Sequence, residues 1–300
     1  MPYFIAFLLC FQVVIAKPFD QIHLDGILDS SGGNGSSLSD AFTRADKLYK
    51  DRGIDMGKAR EAINLYYENL GTPGRDNALR YIQLARMEFY TAQFMEKDES
   101  LLGEQVQLFQ SSFENAGKAG RLFHQQFREF PQDLGHTEAL VYAQAIYVYT
   151  LGLSQWAKLK GTFVILRKWP EIRDINQTLI DNAFGHLDYY GPYRVIGLAH
   201  NEMPPIAGGN PQIARQYLKM AFDNTLIDRG ISAHVYNNIA YATRFLKDGK
   251  REQGCEIVNK SRLMFRRDFQ RVAPDRVPES LAEKKQLMEI WLKNTCYDFE

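Results

Sequence analysis

Downstream of residue 38, apolar side chains return every three or four positions between polar ones, the spacing of one buried face on a helix. Ala45, Leu48 and Tyr49 share a face of a predicted helix over 41–50, with Ser39 and Asp40 as capping residues in front of it. Ala59, Ala62, Ile63 and Tyr66 share a face of a second helix over 56–69. Arg52-Gly53 separates the two, and Gly71-Thr72-Pro73-Gly74 ends the pair. The same period predicts helices over 75–94, 101–127 and 138–159. A following stretch is interrupted at Trp169-Pro170 and resumes over 175–183. Further helices are predicted over 192–201, from Pro211 through Phe222, and over 232–246, 251–265 and 280–294. No run alternates with period two, so the fold class is all-α.

Alanines at the centre of each pair, with large residues beside them, are what two closely crossing helices require. That is the logic of a tetratricopeptide-type hairpin, whose period is about 34 residues. The chain therefore reads as an irregular α-solenoid over 39–300, with the last helix capping the open end of the stack. Residues 30–37 are serine, glycine and one asparagine, so 17–38 reads as a flexible linker.

The first 16 residues form a separate segment. No charged side chain occurs from Pro2 to Ala16, and the apolar run ends in Val14-Ile15-Ala16, the pattern of a secretory signal cleaved before Lys17. Export to the periplasm is the expectation. Leu8-Leu9 before Cys10 lacks the small residue that lipid attachment needs, so membrane contact through a lipid anchor is not expected. Acidic and basic residues balance at 36 each, without the basic excess of a nucleic-acid binder.

The stretch over 190–222 adds a family resemblance. Gly191-Pro192-Tyr193-Arg194-Val195-Ile196-Gly197, Met203-Pro204-Pro205, Gly208-Gly209-Asn210-Pro211, and then Ala214, Tyr217 and Ala221 resemble the TatT family of tetratricopeptide-repeat proteins associated with TRAP transporters. The resemblance covers about a tenth of the chain. It implies a periplasmic adaptor that partners a solute-binding protein and self-associates. Gly197, Pro204, Gly208 and Gly209 carry structural roles in that pattern: close helix approach and a tight turn.

Candidate chemistry is sparse. None of the six histidines has metal-ligand spacing, and no metal site or cofactor is expected. No nucleophile elbow or pair of catalytic carboxylates stands out, so the chain reads as a non-enzyme. Tyrosines beside Asn and Arg suit the lining of a repeat-built groove. Tyr189, Tyr190, Tyr193, Arg194, Asn201, Tyr236, Asn237 and Tyr241 are thus candidate ligand-binding residues, with core packing as the alternative role of the tyrosines. Cys255 and Cys296 either pair as a disulfide or stay as buried thiols. Sequons at Asn34, Asn176 and Asn259 matter only in a glycosylating pathway. The expected function is an adaptor that helps a solute-binding protein handle a small organic ligand, hydrophobic ones included. The alternative is an envelope scaffold that holds extended peptides or proteins in its groove.

Overall fold

The computed structural model describes residues 36–53, 55–96 and 98–299; the segment read as a signal, Cys10, Asn34 and most of the linker lie outside them. The described chain is all-α, with twelve α-helices and one two-stranded ribbon. α1 (Ser36–Lys50) and α2 (Met56–Asn69) form the first hairpin. Ala45, Ala59 and Ala62 are fully buried at their crossing, and Phe42 meets Tyr66 edge to face at 4.9 Å. The helix already covers Ser36, so Ser39 and Asp40 stand inside α1 rather than at its cap, and the last residues assigned to the linker are helical.

α3 (Ala78–Phe94) and α4 (Leu102–Arg121) form the second pair, each entered through a short 3-10 turn. α4 stops at Arg121, six residues before the predicted end. The chain leaves the helix there, and Phe127 and Phe130 fold back onto Tyr142. α5 (His136–Lys160) is the central helix, with residues such as Tyr142, Ile146 and Leu153 buried along its length. Gly152 lets the backbone of α4 approach closely, since a Cβ there would lie 2.9 Å from the Phe113 nitrogen. α6 (Thr162–Asp181) runs unbroken through Pro170, contrary to the predicted interruption. The proline removes one backbone donor, while buried Trp169, Ile172, Ile175 and Leu179 hold the helix against its neighbours.

α7 (Leu187–Glu202) contains three consecutive left-handed residues, Asp188, Tyr189 and Tyr190, after which Gly191-Pro192 starts the regular part. α8 (Pro211–Asp223) follows the predicted turn: Gly208 has φ +91°, and a Cβ on Gly209 would meet the Met203 carbonyl at 1.8 Å. The Asn210 side chain accepts from the N–H groups of Gln212 and Ile213, with Pro211 in the first turn as anticipated. Gly197 packs directly on Leu218 of α8. The ribbon β1 (Leu226–Ile227) and β2 (Ile231–Ser232) precedes α9 (Val235–Lys247). α10 (Arg251–Arg262) is three residues shorter than predicted, because Leu263–Phe265 turn into an unpredicted helix, α11 (Arg266–Val272). α12 (Val277–Lys293) ends the array, and Cys255 in α10 is disulfide-bonded to Cys296 beyond it.

The last helix does more than cap. The turn after α1 meets the start of α12: Arg52 grips both oxygens of Glu279 at 2.8 and 2.9 Å, and Gly53 lies flat against Pro278. The solenoid thus returns on itself and encloses space at its centre. Among the described residues no helix is long and apolar enough to cross a membrane. Two sequons are spent on structure: Asn176 is fully buried in α6, and the Asn259 amide donates to the Cys296 carbonyl.

Candidate functional site

The inner face of the array forms a partly open cavity of about 770 Å³. One stretch of wall is apolar: Val148 and Leu151 from α5, Ile165 and Trp169 from α6, Val195 and Leu198 from α7. Another is charged: Asp188 and Arg194 from α7, His234 before α9, Arg276, and Glu279 and Glu283 from α12. Arg52, from the closing turn, joins the charged part. A concave, partly apolar chamber with a few converging polar groups is the usual form of a small-molecule site.

Asp188 is the hub of the charged part. Its Oδ2 accepts from Arg194 at 2.6 Å and from the Tyr147 hydroxyl at 2.8 Å, and its Oδ1 accepts from Arg276 at 2.7 Å. The left-handed turn at 188–190 aims this carboxylate inward. Three non-glycine residues in that conformation cost about 1–2 kcal/mol each, so the surrounding bonds must hold them. Asn237 does part of this: its amide donates to the carbonyls of Tyr189 and Ala221 while its oxygen accepts from Arg194. Gly191 leaves room for the Tyr147 hydroxyl, which would lie 1.9 Å from a Cβ there. Burial alone would push the Asp188 carboxyl up, but Arg276 and Arg194 hold it well below the usual carboxylate range.

The other groups are poised differently. His234 caps α9, the Tyr236 N–H donating to its Nδ1 at 3.2 Å, so the proton of the neutral ring sits on Nε2. Burial lowers its pKa well below the ordinary value, and Arg276 and Arg194 add to that. Its Nε2 stands 3.9 Å from Asp188, beyond hydrogen-bond reach, and has no partner. Glu283 accepts from Arg276 with Oε1 at 3.0 Å, while its buried Oε2 is unpartnered. Burial raises the Glu283 carboxyl to about 7 against the pull of Arg276 and Arg194, with Glu279 and Asp188 adding to the rise. The Arg276 guanidinium is fixed as a cation by Asp188 and the glutamates despite its burial.

The chain matches no family model. No curated protein matches it either. The TatT reading therefore rests on the 190–222 pattern alone.

Of the eight residues singled out from the sequence, Arg194 and Tyr236 line the cavity. Tyr189 and Asn237 stand behind it, Tyr189 donating to Asp275 at 2.7 Å and Asn237 tying the turn together. Tyr190 and Tyr193 instead form a row with Tyr217, at ring distances of 5.9 and 6.0 Å, apart from the cavity lining. Tyr241 packs in the core between Phe222 and Phe245, and Asn201 accepts from Arg244. Sequence reasoning missed Asp188, His234, Arg276 and Glu283. These are single residues spread over nearly a hundred positions, and the packing of α9 against α7 and α12 assembles them. The one local signal was Asp188 immediately before the tyrosine pair. Among the described residues no cluster of His, Cys, Asp and Glu could hold a metal ion.

Proposed function

We propose that this protein is a non-catalytic binding protein that carries one small amphipathic organic molecule inside its ring. The cavity of about 770 Å³, apolar along α5, α6 and α7 and charged around Asp188 and Arg276, supports this reading. Its size suits a single small molecule. Closure by Arg52 and Glu279 favours such an occupant over an extended peptide, which needs an open groove. Asp188 is locked by two arginines and a tyrosine, and His234 is held neutral as a helix cap, so neither is free to act as a catalytic base.

The adaptor role that the TatT resemblance implies is the second part of the proposal. Phe163 and Ile206, 89% and 98% exposed, lie one and two residues from the cavity-lining Thr162 and Pro204, and offer apolar surface near the chamber to a partner such as a solute-binding protein. Action in the periplasm after export belongs to the same proposal.

The binding role is tested with a fluorescent amphiphile, 1-anilinonaphthalene-8-sulfonate. It should brighten with a stoichiometry of one, and Leu198→Trp, which narrows the chamber at its apolar wall, should weaken its binding at least tenfold while leaving the helical circular dichroism intact. No brightening, or equal binding by the folded variant, refutes a ligand in the ring.

A further inference from the structure

We propose that the occupant is a monoanionic amphiphile and that it binds together with one proton, which Glu283 takes up. This inference rests on the proposed binding role and assigns a ligand class and a coupling group to the same chamber.

The charge balance of the lining comes first. Eight Lys or Arg side chains face the cavity against six Asp or Glu. Each of these acids is engaged: Asp188 by Arg194 and Arg276, Glu279 by Arg52, Glu283 by Arg276, Glu202 by Lys158, and Asp46 and Asp275 by the hydroxyls of Tyr66 and Tyr189. Four of the cations, Lys50, Arg80, Arg86 and Arg266, make no ion pair among the described residues. The surplus of mobile charge in the chamber is positive, which draws an anion.

The unpartnered atoms point the same way. His234, 1% exposed, presents its Nε2–H, and Arg276 presents its Nε–H, both without an acceptor. Glu283, 4% exposed, lines the same chamber with a free Oε2. Two buried donors and one carboxyl that is either acceptor or donor make a complete set for an oxyanion only when the carboxyl is protonated.

Coulomb's law then ties the two events together. The groups facing Glu283 are Arg276 and Glu279 from its own segment, Asp188 and Arg194 from α7, Tyr236 from α9, Tyr90 from α3, and Arg52 from the closing turn, paired to Glu279, with His234 lining the same chamber. With Glu283 ionised, the carboxylates of 188, 275, 279 and 283 outnumber the guanidinium groups of 52, 194 and 276, so next to Glu283 the local field opposes the anion that the wider lining attracts. With Glu283 protonated the cluster is neutral, and its O–H points to the arriving head group. The balance is one anion and one proton in, with no covalent bond formed. Among the facing groups, His234 loses its proton well below its ordinary value, Asp188 is held well below the carboxylate range, and Tyr236 keeps its hydroxyl proton up to about 12. Burial places the Glu283 carboxyl at about 7, where a small added field completes its protonation.

The test is calorimetric titration of the full chain with decanoate, at pH 8, in buffers of different ionisation enthalpy, beside 1-decanol and decyltrimethylammonium. The proposal predicts uptake approaching one proton per decanoate, and an affinity that weakens by up to about tenfold per pH unit above 7. Glu283→Gln, which mimics the protonated carboxyl, should abolish both the uptake and the pH dependence. The wild-type buffer comparison stands alone if that variant does not fold. Decanoate binding without proton uptake, or an unchanged pH profile in a folded Glu283→Gln, overturns the coupling. Binding of the alcohol or the cation but not of decanoate overturns the anion assignment and leaves the binding role intact. Binding of none of the three overturns both.

Discussion

At the scale of single residues, the protein places charges where water is scarce and settles each by a different route. Asp188 is satisfied three times over, whereas Glu88 in α3 is fully buried with only neutral donors on it, the Tyr67 hydroxyl and the Asn115 amide. Burial raises the Glu88 carboxyl to about 7, against the effect of those hydrogen bonds and of Lys118. The folded chain therefore holds this proton more tightly than the unfolded chain does. The stabilisation is fully present below the ordinary carboxylate value of 4.5 and is lost as the pH rises through about 7. Urea unfolding of wild type and Glu88→Gln checks this. Between pH 6 and 8.5 the wild type should lose about 1 kcal/mol relative to the variant, since Glu283 titrates in both and cancels. A gap that stays constant with pH would mean that Glu88 is ionised throughout.

At the scale of elements, small residues and turn chemistry were the readable part. Alanines at 45, 59, 62, 214 and 221 do sit at helix crossings, and the 204–211 turn forms as its glycines and Asn210 require. The misreadings have local physical causes. Pro170 signals a break, yet one missing backbone donor is outweighed by a buried stripe on both sides of it. Phe123 and Phe127 fit the helical period of α4 but pack after the chain has left the helix, so periodicity alone overran the end. α11 is seven residues long, too short for its period to stand out. The cysteine question, open in the sequence, is answered by the pairing of α10 with the segment after α12. The bond closes a loop of 41 residues, which in the chain-entropy model contributes roughly 4 kcal/mol. Cys296→Ser should therefore lower the thermal midpoint by several degrees, and reductant should lower the wild type to a similar extent. A midpoint indifferent to both would show that the fold does not depend on the link.

At the scale of the whole molecule, the decisive event is closure. Arg52 lies between the rings of Tyr49 and Tyr90, 4.2 and 5.0 Å away, and reaches Glu279 at the far end of the chain. That contact spans 227 positions, and no hydrophobic period encodes it. This is why the class of fold was legible while the site was not. Tyrosines near 189–193 were visible as a cluster, but the carboxylates, histidine and arginine of the chamber become neighbours only when α9 packs on α7 and α12 packs on α9. The account stands on the chamber thus formed holding a ligand, and native mass spectrometry of the chain as purified tests that most directly. It should show one adduct of a few hundred daltons per chain, about the mass such a cavity holds, retained by wild type and absent from folded Leu198→Trp. A bare chain mass that no amphiphile shifts, or an adduct equally retained by the blocked variant, would contradict the account.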